Sequence, residues 1–104
     1  EQLEWDMKLW WVHNEALIAT LLAYGLTGEK KYFDMFEKVH AYAFGHFADK
    51  EYGEWYGYLH KDGTVSHTQK GSMWKGPFHH PRCLMNCDRI LSLLADGKPM
   101  ETLL

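Results

Sequence analysis

Trp74-Lys75-Gly76-Pro77-Phe78-His79-His80-Pro81-Arg82 is the stretch on which the reading of this chain turns. Two prolines and a glycine within nine residues keep it out of helix and strand interiors, because proline has a fixed φ and no backbone donor. Among them stand two imidazoles, a guanidinium and an indole. Imidazole is the side chain whose ordinary pKa lies nearest neutrality, so it gives or takes a proton at working pH. A guanidinium adds a permanent cation with a planar fork of donors, suited to clustered oxygens. The stretch reads as a stiff loop built to hold reactive groups ahead of a helix.

That helix is expected over about Arg82 to Ala95, with Pro81 beside its start, where proline is tolerated. Leu84, Cys87, Ile90, Leu91 and Leu94 supply its apolar face, and Gly97 and Pro99 end it. Upstream of the loop, Trp55-Tyr56-Gly57-Tyr58-Leu59-His60 is rich in strand formers. Asp62-Gly63 then signals a tight turn and Thr64-Val65-Ser66 a returning strand. A lone hairpin is marginal in water, so this one is expected to pack on helices. Further back, Phe33, Phe36, His40, Ala43, Phe44 and Phe47 fall at helical spacing within a helix from about Glu29 to Phe47. His40 lies on that stripe and is expected in the core. His46, near the helix end, complements the C-terminal dipole. A first helix runs from about Val12 to Gly25 and Gly28; it is apolar almost all round and is expected to be buried on several sides. Glu15, near its start, has two readings, a carboxylate favoured by the helix dipole or an acid at the rim of a pocket. Residues 1–11 lead into this helix. The sum is a mostly α unit of three helices and one β-hairpin.

The 104 residues suit one domain with a modest core. A composition 46% hydrophobic and 24% charged is that of a soluble globular chain, with the cytoplasm as its default location. Net charge is −3 and no basic run interleaves with aromatics, which argues against nucleic acid as a partner. No apolar run approaches the length of a membrane span. Two cysteines, Cys83 and Cys87, are too few for a disulfide framework. The 15% aromatic content, with five tryptophans, fits either a packed core or platforms for sugar rings.

Three kinds of chemistry compete for these residues. Acid–base catalysis by His79 or His80, with Glu15 and Arg82, competes with the two being ordinary surface-loop histidines. Zinc bound by His79, His80, Cys83 and Cys87 is disfavoured, because the paired Cys-x2-Cys spacing of structural sites is lacking. No metal is therefore expected. Trp10, Trp11 and Trp74 serve either as packing or as a sugar platform.

Three segments in order carry a resemblance: Lys8-Leu9-Trp10-Trp11-Val12-His13-Asn14-Glu15-Ala16, Glu51-Tyr52-Gly53-Glu54-Trp55-Tyr56-Gly57-Tyr58-Leu59, and Lys75 to Arg82. Together they resemble the C-terminal part of the N-acylglucosamine 2-epimerase family, also called the renin-binding protein family. The resemblance implies an (α/α)6 toroid of which residues 1–104 form only the last, incomplete portion. It implies inversion at C2 of an open-chain N-acetyl sugar, interconverting N-acetylglucosamine and N-acetylmannosamine. By that resemblance His79 is one of two acid/base residues, and Glu15 orients substrate or tunes an imidazole. Arg82 engages sugar oxygens, while Trp11 and Trp74 line the sugar pocket. His80 carries no catalytic role, and Glu54 is left between structure and site. The family's second catalytic histidine lies upstream of the present residues, so this chain alone is expected to be inactive. No cofactor is required; ATP is an effector in this branch, yet no phosphate loop is present to assign it to. A homodimer is implied for the full-length protein. The alternatives are a cellobiose 2-epimerase or aldose–ketose isomerase, and a non-catalytic helical module that binds a sugar or a protein.

Overall fold

A computed structural model describes residues 6–103. Its elements are β1 (Met7–Leu9), α1 (Trp10–Thr27), α2 (Lys30–His46), β2 (Tyr58–His60), α3 (His79–Ala95) and a closing 3-10 turn, Met100–Leu103. The chain is mostly helical, as its apolar periodicity requires. The first five residues of the leading segment lie outside the described residues.

α1 is the central element and packs against both α2 and α3. It is buried at Trp10, Asn14, Leu17 and Leu21, a stripe at helical spacing. It ends where Gly28 takes left-handed backbone at φ 71° and returns its N–H to the Tyr24 carbonyl. A residue with a Cβ is disfavoured in that conformation, which is why glycine stands there. Gly25, by contrast, lies inside the helix. A Cβ there would meet Met100 Sδ at 2.5 Å, so this glycine admits the closing turn rather than ending α1. Val12, Ala19 and Leu26 are exposed, so α1 is not enclosed as its composition suggested.

The strand pairing differs from a simple hairpin. β2 pairs antiparallel with β1, Lys8 opposite Leu59, so the leading segment supplies the partner strand. The return after the Asp62-Gly63 turn joins β2 on its other side through the Leu59–Val65 bridge, with His60 N donating to the Thr64 carbonyl at 2.8 Å and Ser66 N to the Tyr58 carbonyl at 2.9 Å. Asp62 closes the turn, its carboxylate accepting from the Thr64 N–H and hydroxyl at 2.9 and 2.7 Å. The hairpin does pack on helices, as expected. Trp10 N donates to the Gly57 carbonyl at 3.0 Å and thereby satisfies one of the four orphan donors that open α1.

The core joins Trp10, Leu17 and Leu21 to Phe36, Ala43 and Phe47 of the α2 region, Trp55 and Leu59 of the hairpin region, and Cys83 and Ile90 of α3. Two expectations require correction. His40 is exposed; its ring lies 4.4 Å from that of Phe44, on the part of the stripe that α1 does not cover. On α3 the buried positions are Cys83, Ile90 and Leu93, while Leu84 and Leu91 are each 44% exposed. Both departures have one cause. An apolar groove of about 440 Å³ runs between α2 and α3, with His40, Leu84, Cys87 and Leu91 on its walls. The apolar faces of these helices are wider than α1 can fill.

Phe47→Ala, which empties a fully buried site, is expected to cost about 3–5 kcal/mol in urea unfolding. His40→Gln, at an exposed position, is expected to change stability by no more than about 0.5 kcal/mol.

Candidate active site

α3 begins at His79, three residues before the expected start, so His79 and Arg82 share one turn and one face. That face meets α1 at Glu15. The His79 Nδ1–H donates to Glu15 Oε1 at 2.8 Å, and Arg82 Nη2 donates to the same oxygen. Residues 64 and 67 positions apart are thus joined on one carboxylate. Of the two readings of Glu15, the helix-dipole one does not hold, and the carboxylate is engaged by α3 instead. Glu15 is the sixth residue of α1, beyond the first turn where the helix dipole favours a carboxylate.

The electrostatics follow from these contacts. The Arg82 hydrogen bond, and then that of His79, holds the Glu15 carboxyl below its ordinary range despite partial burial. Glu15 is therefore ionised at neutral pH and acts as an acceptor. A carboxylate on Nδ1 fixes the imidazole tautomer that leaves the Nε2 lone pair available. Among the described residues neither His79 Nε2 nor Glu15 Oε2 has a hydrogen-bond partner. The Glu15 contact in turn raises the Arg82 pKa, keeping it a cation.

Aromatic rings border this pair. The Trp11 ring centroid lies 5.7 Å from that of His79, and Phe78 and Trp10 meet the same imidazole edge-on at 4.9 and 6.5 Å. Trp74 is elsewhere. It is 74% exposed and lines a separate hollow of about 130 Å³ with Tyr58, His67 and Lys75. The structure thus unites His79, Glu15, Arg82 and Trp11, and leaves Trp74 apart.

His80, adjacent in sequence, faces away into different company. Its Nδ1 accepts from Asn14 Nδ2 at 3.3 Å, its ring centroid lies 4.4 Å from that of Trp55, and its Nε2 is 3.9 Å from Glu54 Oε1. Burial lowers its pKa, against the raising effect of Glu54. Cys83 and Cys87 place their sulfurs 3.9 Å apart, and among the described residues no three His, Cys, Asp or Glu side chains converge on a point fit for a metal.

Trp10, weighed between packing and a sugar platform, is buried in the core, and Asn14 and Lys75 are additions that the sequence reading does not place in the site. Asn14 is wholly buried in the middle of the Trp10–Leu17 stripe; an amide on an otherwise apolar face was the available signal. Among the described residues Trp10 Nε1, Asn14 Oδ1 and Arg82 Nε are buried without a partner. Such orphans are rare in folded proteins and call for an explanation. All three belong to residues in or beside this cluster.

A half-buried imidazole held by an ionised carboxylate, with a guanidinium and an indole beside it, has the groups that proton transfer near an oxygen-rich ligand requires. The family model described as N-acylglucosamine 2-epimerase (GlcNAc 2-epimerase) matches residues 1–83, and the chain belongs to that family. It is 53% identical over 105 residues to the N-acylglucosamine 2-epimerase of Bos taurus, covering 97% of this chain and 25% of that protein. The Mus musculus enzyme is also 53% identical, over 93 residues, covering 89% of this chain and 22% of that protein. Among solved structures, the cellobiose 2-epimerase of Spirochaeta thermophila superimposes with a TM-score of 0.71 at 36% identity, over 85% of this chain and 23% of that one. The chain thus spans about a quarter of the length of these relatives.

Because the Glu15 pKa is lowered in the folded chain, its pairing contributes stability above the unfolded value near 4.5 and loses it as pH falls through the folded value. Arg82→Gln removes the largest cause. The Glu15 carboxyl titration, followed by carbon NMR, is expected to move up toward 4.5 in that variant.

Proposed function

We propose that this chain is part of a sugar 2-epimerase acting on N-acyl amino sugars, interconverting N-acetylglucosamine and N-acetylmannosamine. The observation that carries the reading is the His79–Glu15–Arg82 constellation, with the His79 Nδ1 to Glu15 Oε1 contact of 2.8 Å at its centre. Relatives of about half identity named N-acylglucosamine 2-epimerase support this substrate class over the disaccharide class.

In the open-chain sugar the C1 carbonyl acidifies the C2 proton. His79, with Nδ1 held by Glu15, offers Nε2 to take that proton from one face or to return one. Taking it makes an imidazolium, which the Glu15 carboxylate stabilises. Charge that develops on the C1 oxygen as an enolate needs a donor, and Arg82 lies one turn away to supply it. The free Oε2 of Glu15 can accept from a sugar hydroxyl. Trp11 offers an apolar face beside the imidazole for the carbon chain. The reaction consumes no cofactor, since the same proton inventory is restored at the end of each turnover.

Inversion also needs a group on the opposite face of C2. The upstream remainder of a longer protein would supply it, and this chain is its C-terminal portion within an (α/α)6 toroid. Two features support the incomplete reading. The radius of gyration is 14.8 Å, against about 13 Å for a compact chain of this length. The groove between α2 and α3 is apolar and open, as the flank of a larger helical assembly would be.

The test is a hybrid in which this chain replaces the matching quarter of the bovine enzyme. The hybrid is expected to convert N-acetylglucosamine to N-acetylmannosamine and, in heavy water, to place deuterium at C2. His79→Ala in the hybrid is expected to lower kcat by on the order of 10²–10⁴-fold. Full activity in that variant would remove His79 from the reaction.

A further inference from the structure

Glu54 is the one non-glycine position with positive φ among the described residues, at 63°. Left-handed backbone is unfavourable for a side chain bearing a Cβ, so it persists only where surrounding contacts fix it. Here the contacts are made by its own carboxylate. Oε1 accepts from the Trp55 N–H at 2.5 Å, and Oε2 accepts from Lys75 Nζ at 2.9 Å. Burial pushes the Glu54 pKa up, but the Trp55 N–H and Lys75 together outweigh it, and the carboxyl is held below its ordinary value.

Lys75 is 6% exposed, unusual for lysine. Its stem crosses Gly57, where a Cβ would lie 3.0 Å from Lys75 Cδ and 3.5 Å from the Trp10 ring. The channel that admits this lysine exists because residue 57 has no side chain. A buried ammonium needs a partner, and Glu54 is that partner.

The pair bears on the start of α3. That helix has no side-chain cap, since Phe78 occupies the capping position, and Pro81 in its first turn has no N–H to offer. Tertiary contacts must hold it instead. Glu15 of α1 grips His79 and Arg82 from one side. From the other side come Glu54, Trp55 and Asn14, which meet His80, and Glu54 again through Lys75, four residues before His79. The two consecutive histidines therefore have separate partners, and the backbone between them is clamped.

We propose that Glu54 is a positioning residue for proton transfer at His79: through its ion pair with Lys75 and its contact with His80 it fixes the loop at residue 75 and the first turn of α3. The carboxylate does not touch the reacting atoms. It sets where the His79 imidazole stands relative to C2, and the strained backbone at residue 54 is retained for that purpose. This rests on the proton-transfer role given to His79 above.

The test uses the hybrid with the bovine enzyme and the variants Glu54→Gln, Lys75→Met and the two combined. Glutamine keeps an acceptor for the Trp55 N–H and discards the charge; methionine keeps the buried stem and discards the ammonium. Misplacement of a catalytic group acts on the chemical step, so each single variant is expected to lower kcat roughly 10- to 100-fold with KM within about twofold. The double variant is expected to fall no further than the worse single, because both act through one pair. Single variants that keep kcat, losses that multiply in the double, or a rise in KM alone would overturn the proposal. Should Glu54→Gln fail to fold, Glu54→Gly, which accepts the left-handed backbone, replaces it with the same outcomes. An unsubstituted hybrid without epimerase activity would sink the proposed reaction, not the clamp. The clamp is then read from the ring nitrogen shifts of His79 and His80, expected to move together in both single variants. Unchanged His79 shifts would overturn it.

Discussion

One carboxylate oxygen, Glu15 Oε1, joins α1 to the first turn of α3, and the geometry of the site depends on that junction. The first turn of a helix carries orphan N–H groups and partial positive charge, which a nearby anion offsets. In α3 no capping side chain does so. Glu15 from α1 and Glu54 from the hairpin loop bring the negative charge instead. The stabilisation of the helix start and the preparation of His79 are therefore the same set of contacts. A carboxylate that orders the helix also fixes the imidazole tautomer.

This arrangement explains the role of the aromatic content. Trp10 lies under the site, with its ring against Tyr58 at 5.4 Å, while Trp55 stacks on Phe47 and meets His80 at a tilt. These indoles are core residues that form the floor on which the polar groups are set. Trp11, the next residue along α1, turns out beside His79. One helix step separates an indole in the core from one that borders the His79 imidazole.

The three helices were legible in the sequence because apolar spacing over more than a dozen residues is a strong signal. His79, Glu15 and Arg82 were legible through their motifs, and the structure joins them as one cluster. What escaped was the long-range part. Nothing local to Met7–Leu9 marks it as the partner of β2, since strand pairing across 50 residues has no signature in either segment. The start of α3 was placed at Arg82 because prolines flank the two histidines, yet Pro81 sits inside the first turn, where its missing N–H has no intrahelical partner to lose. His40 was assigned to the core from the stripe alone. A stripe records which face is apolar and says nothing of whether a neighbour covers it.

The same point bears on what the open groove means. α2 and α3 each present more apolar surface than α1 covers, with Leu84 and Leu91 exposed along the α3 side of the groove. Contiguous apolar surface of this kind is normally buried against something. The groove lies between α2 and α3, and of α1 only Leu17 reaches its wall, so the facing apolar sides of the two helices stay uncovered. The polar cluster has the same one-sided character: the His79 imidazole is held at Nδ1 by Glu15, while its Nε2 and the Glu15 Oε2 are left without a partner among the described residues.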